Sequence, residues 1–302
     1  MSEAKRSRLS IWWQASRAFS FTASVIPVTV GAAVAVAEGR QVLWWLFPFV
    51  VVSSVLLHAA TNMTNDYFDF VNGVDKSDTK GSSGVLTSGL LQPEELKKGA
   101  YLLFFLASLL GSVIIWARGW QILALGLVGL CGGYFYTAAP LAYKYLALGD
   151  LFVFVLMGPL MVIGSNFALT GIWSMRALFL SAPIGSLVAG ILCANNYRDR
   201  EADKSSSAKT MANVLPPKLA RMEYYGLLLG AYIVVGILVL TGHSSVATLA
   251  VFLTLPMAIT NILLLAKDPE GKGESIASLD VRTAQLHMAF GVLLVISLVV
   301  GA

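Results

Sequence analysis

The chain alternates long apolar runs with short polar punctuation. Apolar stretches of about 18 residues or more with few charges recur along it, each long enough to cross the hydrocarbon core of a bilayer as a helix. Nine spans are predicted, at roughly 16–37, 41–65, 95–117, 120–139, 147–170, 175–200, 219–241, 244–266 and 283–301. No water is available there to bond the backbone, so a helix, which satisfies its polar groups internally, is the expected form. Two-residue alternation is weak in these runs, which argues against a β-barrel. The predicted fold is all-α: a polytopic bundle of about nine transmembrane helices forming a single domain over 1–302.

Composition agrees. The chain is 57% hydrophobic and 13% charged, whereas soluble domains are about 45–50% apolar and about 25% charged. Its net charge of +4 is compatible with nucleic-acid binding, but the positions of the cations explain it better. With the N-terminus placed in the cytoplasm, all but three of the 21 Lys and Arg fall on cytoplasmic segments, the exceptions being Arg40, Arg118 and Arg176. That is the bias that orients membrane proteins. The expectation is a multi-pass protein of the cell inner or plasma membrane, with the lipid bilayer and not nucleic acid as its partner. Three long connections, at about 66–94, 201–218 and 267–282, lie on the cytoplasmic side, and long connections are where function concentrates. The basic N-terminus lacks a cleavable signal pattern. Cys131 and Cys193 sit in apolar stretches without metal-binding spacing. Seven Trp near span ends fit interfacial anchoring.

Two polar segments carry chemistry. The second span runs into HAATNMTNDYFDF. If the helix continues, Asn62, Asp66 and Asp69 share one face. The sixth ends in CANNYRDREAD, where Asn195, Asp199 and Asp203 fall at i, i+4 and i+8. The two stripes form a weak internal repeat with four spans per step. Carboxylates at the end of an apolar helix are costly unless paired or metal-bound, and the C-terminal end of the helix dipole makes them ask for a cation. Mg²⁺ takes oxygen ligands, uses one or two protein carboxylates and leaves positions for water and phosphate. Two facing clusters would therefore hold Mg²⁺ around a diphosphate. Lys80, Lys144, Arg198, Lys209 and Arg17 are the cations placed to complete the neutralisation. Asp75 is a secondary ligand candidate. His58, His243 and His287 share no spacing and are read as packing or interfacial residues. Tyr136 and Tyr143 are among the rings near the same ends, where an aromatic face would stabilise a carbocation.

At these residues the chain resembles the UbiA superfamily of intramembrane aromatic prenyltransferases. The resemblance rests on Asn65-Asp66-Tyr67-Phe68-Asp69 and Asp199-Arg200-Glu201-Ala202-Asp203. NDYFDFVNGVD, YTAAPLAYKYLALGDLFVF and NNYRDREADKSSSAKT look most like its naphthoate branch. The resemblance implies Mg²⁺-dependent transfer of a polyprenyl group from polyprenyl diphosphate to 1,4-dihydroxy-2-naphthoate, with decarboxylation, in menaquinone biosynthesis. Asp66, Asp69, Asp199 and Asp203 are then the metal ligands. Asn62, Asn65 and Asn195 orient them or touch phosphate, and Lys144, Arg198, Lys209 and Arg17 contact substrate. Another aromatic acceptor (4-hydroxybenzoate, homogentisate or a chlorophyllide) is the alternative within the family. A divalent-cation transporter is the alternative outside it. Many members carry Arg before the Val-Leu-x-x-Gly stretch, where this chain has Gly84, so one diphosphate-facing cation is missing or is supplied by Lys80.

Overall fold

The structure is a computed structural model that describes residues 6–75, 82–203, 209–268 and 276–302, without the side chains of Ala202 and Asp203. Among these residues the fold is helical. Eight helical segments are long and apolar enough to cross a membrane, and Trp120–Tyr134 is a shorter apolar helix. The long ones include α2 (Thr22–Ala37) with the 3₁₀ turn Ala18–Phe21 before it, α3 (Phe47–Val71), α4 (Pro93–Arg118), α8 (Met175–Arg198), α11 (Pro217–Leu240) and α13 (Leu279–Val300). α6 (Gly149–Val155) and α7 (Met161–Thr170) are joined into one span by a π-helical turn at Leu156–Leu160. α12 (Leu255–Lys267) continues a 3₁₀ segment, Val246–Thr254. The shorter helix is α5, Trp120–Tyr134.

Sequence and structure differ at several boundaries. α3 runs to Val71 and carries the acidic stripe on continuous helix. The expected fourth span stops at Tyr134. Beyond it, Ala142 and Ala147 take left-handed backbone in a loop that leads to α6. An unanticipated short helix, α1 (Arg8–Ala15), precedes the first span, capped by the Ser7 hydroxyl on the Ser10 amide. α8 ends at Arg198, with Asp199 as its C-cap, and a short α9 (Arg200–Asp203) follows. The expected one-face stripe Asn195, Asp199, Asp203 is therefore not on one continuous helix. The i, i+4 relation survives only to Asp199, whose amide still donates to the Asn195 carbonyl. α10 (Met211–Val214) lies in the following connection.

α8 is the most enclosed span, packed against α11 and α13, while α2 lies against α13 and α7. Backbones approach closely where glycine permits it. A Cβ at Gly158 would come 2.7 Å from the Gly185 Cα, and one at Gly31 would come 2.5 Å from the Val162 carbonyl oxygen. Small residues at such crossings let membrane helices gain dispersion contact in place of a hydrophobic driving force. These crossings set α2, α3, α6–α7 and α8 around one cavity.

Candidate active site

α3 ends over this cavity because its last turn closes on itself. The Gly73 amide donates to the Phe70 carbonyl and the Val74 amide to the Asp69 carbonyl, with Gly73 at φ 69°. That is the Schellman arrangement, which needs a left-handed residue. It turns the chain back, so that Asp75, whose amide also donates to the Asp69 carbonyl, lines the cavity.

Each acid of the first stripe has a cation. Arg17 pairs with Asp66, and the Ser83 amide donates to the other Asp66 oxygen at 3.1 Å. Lys144 Nζ lies 2.5 Å from Asp69 Oδ2 and 2.9 Å from Asn65 Oδ1. Asn65 Nδ2 and the Tyr145 hydroxyl donate to the same carboxylate at 2.9 and 2.6 Å. Asn62 donates to the Ser16 carbonyl and the Ser20 hydroxyl, which fixes the segment carrying Arg17. Burial is the largest single effect and opposes the Arg17 charge, but Asp66, Asp75 and Asp69 together hold the guanidinium above its ordinary pKa. Lys144 follows the same balance, with Asp69 as the raising charge. Asp75 is pushed up to about 7, by burial first and then by Asp69 and Asp66.

The second stripe is held by Arg198. Its guanidinium donates to Asn195 Oδ1 at 2.6 Å, to both Asp199 oxygens at 3.2 and 3.0 Å, and to Asp280 Oδ2 at 2.7 Å. Asn195, Asp199 and Asp280 line the same cavity as Asn62, Asn65, Asp69, Asp75, Arg17 and Lys144. The two acidic helix ends, 133 residues apart by sequence, therefore face one space.

That space is about 250 Å³. Away from the charged end its wall is mainly apolar, with Leu57, Val153, Leu156, Leu160, Val188 and Leu192 among the lining residues, and Ser54, His58 and Thr61 are polar exceptions. Tyr136 and Tyr143 also line it, whereas Tyr197 is buried in the core of α8 and its neighbours. The Lys209 carbonyl accepts from the Ala147 amide, but its side chain is exposed and off the cavity wall. Lys80 and the side chain of Asp203 lie outside the described residues. Gly84 has φ 74°, a conformation that glycine adopts at less cost than a residue with a Cβ. The cation beside Asp66 comes instead from Arg17. Asp280 carries no motif, and Tyr145, although inside the segment YTAAPLAYKYLALGDLFVF, has no spacing that singles it out. His58, read as packing or interfacial, packs against Phe21 and lines the cavity.

Fold and site together define a class: a polytopic α-helical membrane protein whose acidic helix ends meet cations at the mouth of an apolar cavity. The sequence profile of the UbiA prenyltransferase family matches residues 24–281. The chain belongs to that family and is a membrane prenyltransferase. It is 33% identical to the 1,4-dihydroxy-2-naphthoate octaprenyltransferase of Bacillus subtilis (strain 168), over 98% of this chain and 94% of the relative. Its fold is similar to that of a UbiA homologue from Aeropyrum pernix K1, with a TM-score of 0.64 at 15% identity, covering 94% of this chain and 98% of that one. A UbiA homologue from Archaeoglobus fulgidus bound to DMAPP and Mg²⁺ matches with a TM-score of 0.59 at 16% identity, over 94% and 98% of the two chains. Family membership removes the transporter alternative.

Proposed function

We propose that the enzyme transfers a polyprenyl group from polyprenyl diphosphate to 1,4-dihydroxy-2-naphthoate, with loss of CO₂, and that it does so with Mg²⁺ on the cytoplasmic side of the membrane. The observation that carries this reading is the meeting of two acidic helix ends, each balanced by buried cations, at one end of an otherwise mainly apolar cavity. The likeness to the Bacillus subtilis enzyme supports the choice of acceptor.

The donor set fits Mg²⁺. The charged end of the cavity offers carboxylate and amide oxygens from Asp69, Asp75, Asn62, Asn65, Asn195 and Asp199, the chemistry this hard cation prefers, while Asp66 is off the cavity wall, buried and paired with the lining Arg17. Asp66, Asp69 and Asp199 would hold the metal, and Asp203 belongs with them by its motif. A Mg²⁺ held there would supply positive charge for the departing diphosphate.

The chain's own residues do the rest. Arg17 and Lys144 release part of their hold on Asp66 and Asp69 and turn to diphosphate oxygens. Arg198 keeps Asn195 and Asp199 aimed at the head group. The prenyl chain lies along Leu156, Leu160 and Leu192, where exclusion of water protects the allylic cation. Tyr136 and Tyr143 present ring faces beside it. The test is mass spectrometry of products made by membranes given geranylgeranyl diphosphate, Mg²⁺ and a panel of aromatic acids. A decarboxylated prenyl-naphthalenediol is expected. Product from 4-hydroxybenzoate alone would assign a different acceptor.

A further inference from the structure

A second set of ligand-type side chains lies behind the cavity wall. Asp150 in the first turn of α6, Cys193 near the end of α8 and Glu223 in the second turn of α11 bring two carboxylate oxygens and a sulfur within 4.8 Å of one another. None of the three lines the cavity described above. Each helix gives one donor, so no spacing in the sequence announces the set. Asp150 and Cys193 are 6% and 2% exposed, while Glu223 keeps part of its surface.

The set is short of positive charge. Asp66 and Asp69 meet Arg17 and Lys144, and Asp199 and Asp280 share Arg198. Among the described residues no Lys or Arg forms an ion pair with Asp150 or Glu223. The charge that acts on Asp150 is the like charge of Glu223. Asn196 bonds the Asp150 side chain, yet Asp150 Oδ1 and Glu223 Oε2 are buried without a hydrogen-bond partner. Cys193 belongs to the large apolar core, with Ala194, Tyr197 and Tyr224. Two carboxylates against such a core are costly unless a proton or a cation neutralises them. A shared proton bridges two oxygens and leaves the sulfur unused, whereas a metal ion bonds all three groups.

We propose that Asp150, Cys193 and Glu223 form a structural site for a borderline-soft divalent cation, Zn²⁺, separate from the diphosphate site. Mg²⁺ takes oxygen ligands, and a thiolate beside carboxylates selects Zn²⁺ over it. On binding, the Cys193 thiol loses its proton to water and the thiolate bonds the metal. A tetrahedral Zn²⁺ with Zn–S of about 2.3 Å and Zn–O of about 2.1 Å sets its ligands about 3.4–3.6 Å apart. Donors already within 4.8 Å therefore tighten by at most about 1.4 Å. Buried donors are what a structural site requires, and the part-exposed Glu223 is the side through which the ion enters. The ion would tie α6, α8 and α11 together one turn before Asn196, which lines the cavity. It would steady the end of α8 that carries Asn195 and Asp199 without touching substrate.

The test uses full-length protein without a polyhistidine tag, made in cells supplied with Zn²⁺ and purified in detergent with excess Mg²⁺. Elemental mass spectrometry should find about one Zn²⁺ per chain in the wild type, in Asp199→Ala and in Cys131→Ser, which removes the exposed thiol. Cys193→Ala and Asp150→Asn should each lose most of it. Co²⁺ supplied in place of Zn²⁺ should give the wild type and Cys131→Ser a sulfur-to-metal charge-transfer band that Cys193→Ala lacks. Wild type made with added Zn²⁺ should melt at a higher temperature than wild type made without it, and Cys193→Ala should show no such gap. A wild type free of Zn²⁺ would overturn the proposal and leave the shared proton in its place. So would zinc content unchanged in Cys193→Ala and Asp150→Asn; its loss in Asp199→Ala instead would place the ion at the diphosphate site. If neither Cys193→Ala nor Asp150→Asn folds, the zinc content and Co²⁺ band of Cys131→Ser decide, and absence of either overturns the proposal. No readout involves prenyl transfer, so the outcome is independent of the acceptor proposed above.

Discussion

Arg17 and Asp66 meet across 49 positions of sequence, inside a protein with little water to screen them. Removing one partner of a buried pair leaves an uncompensated charge, at a cost of roughly 3–5 kcal/mol. Arg17→Ala should therefore lower thermal stability in detergent sharply, whereas Arg17→Met with Asp66→Asn should recover much of it. A double-mutant cycle by thermal unfolding checks this. Asp75 gives a pH signature. Its folded carboxyl titrates near 7 and its unfolded one near 3.8. Between those values the folded protein holds a proton that the unfolded chain has lost, so its contribution to stability falls as pH rises through the window. Asp75→Asn should remove that slope, as read by melting temperatures at pH 5 and pH 8 without Mg²⁺. Residue types and helical spacing made Asp66, Asp69, Asn62 and Lys144 legible in the sequence. Asp280, Tyr145 and Ser20 were not, because each becomes a partner only when distant segments pack.

The spans were the most legible elements, since twenty consecutive apolar residues leave few alternatives in a bilayer. Their ends were not, because polar ends are set by side-chain capture and not by hydropathy. α8 breaks at Asp199, where Arg198 gathers Asn195, Asp199 and Asp280, and nothing in the local composition announces that break. α5 is about 22 Å long at 1.5 Å per residue, shorter than the run of apolar residues led one to expect. The close crossing at Gly185 fixes α8 against the π-helical turn, with a Cβ there only 2.7 Å from the Phe154 carbonyl oxygen. Overpacking of this kind costs about 1–3 kcal/mol. Gly185→Val should lower the melting temperature and reduce transfer together, because it displaces the helix that carries Asn195 and Asp199. Unchanged stability and activity would show that the crossing is looser than described.

At the scale of the whole molecule the charge bias and the nine expected crossings make a joint prediction. The N-terminus should lie in the cytoplasm and the C-terminus on the far side. A C-terminal green fluorescent protein fusion should then be dark and a C-terminal alkaline phosphatase fusion active; the reverse pattern would contradict either the orientation or the crossing of α5. The central claim is that the ends of α3 and α8 act as one diphosphate site, although they belong to different halves of the chain. The most direct measurement is prenyl transfer from labelled geranylgeranyl diphosphate at saturating Mg²⁺, in Asp66→Ala and Asp199→Ala proteins that still fold in the membrane. The account predicts that transfer is abolished in each variant separately. Full activity in both would contradict it.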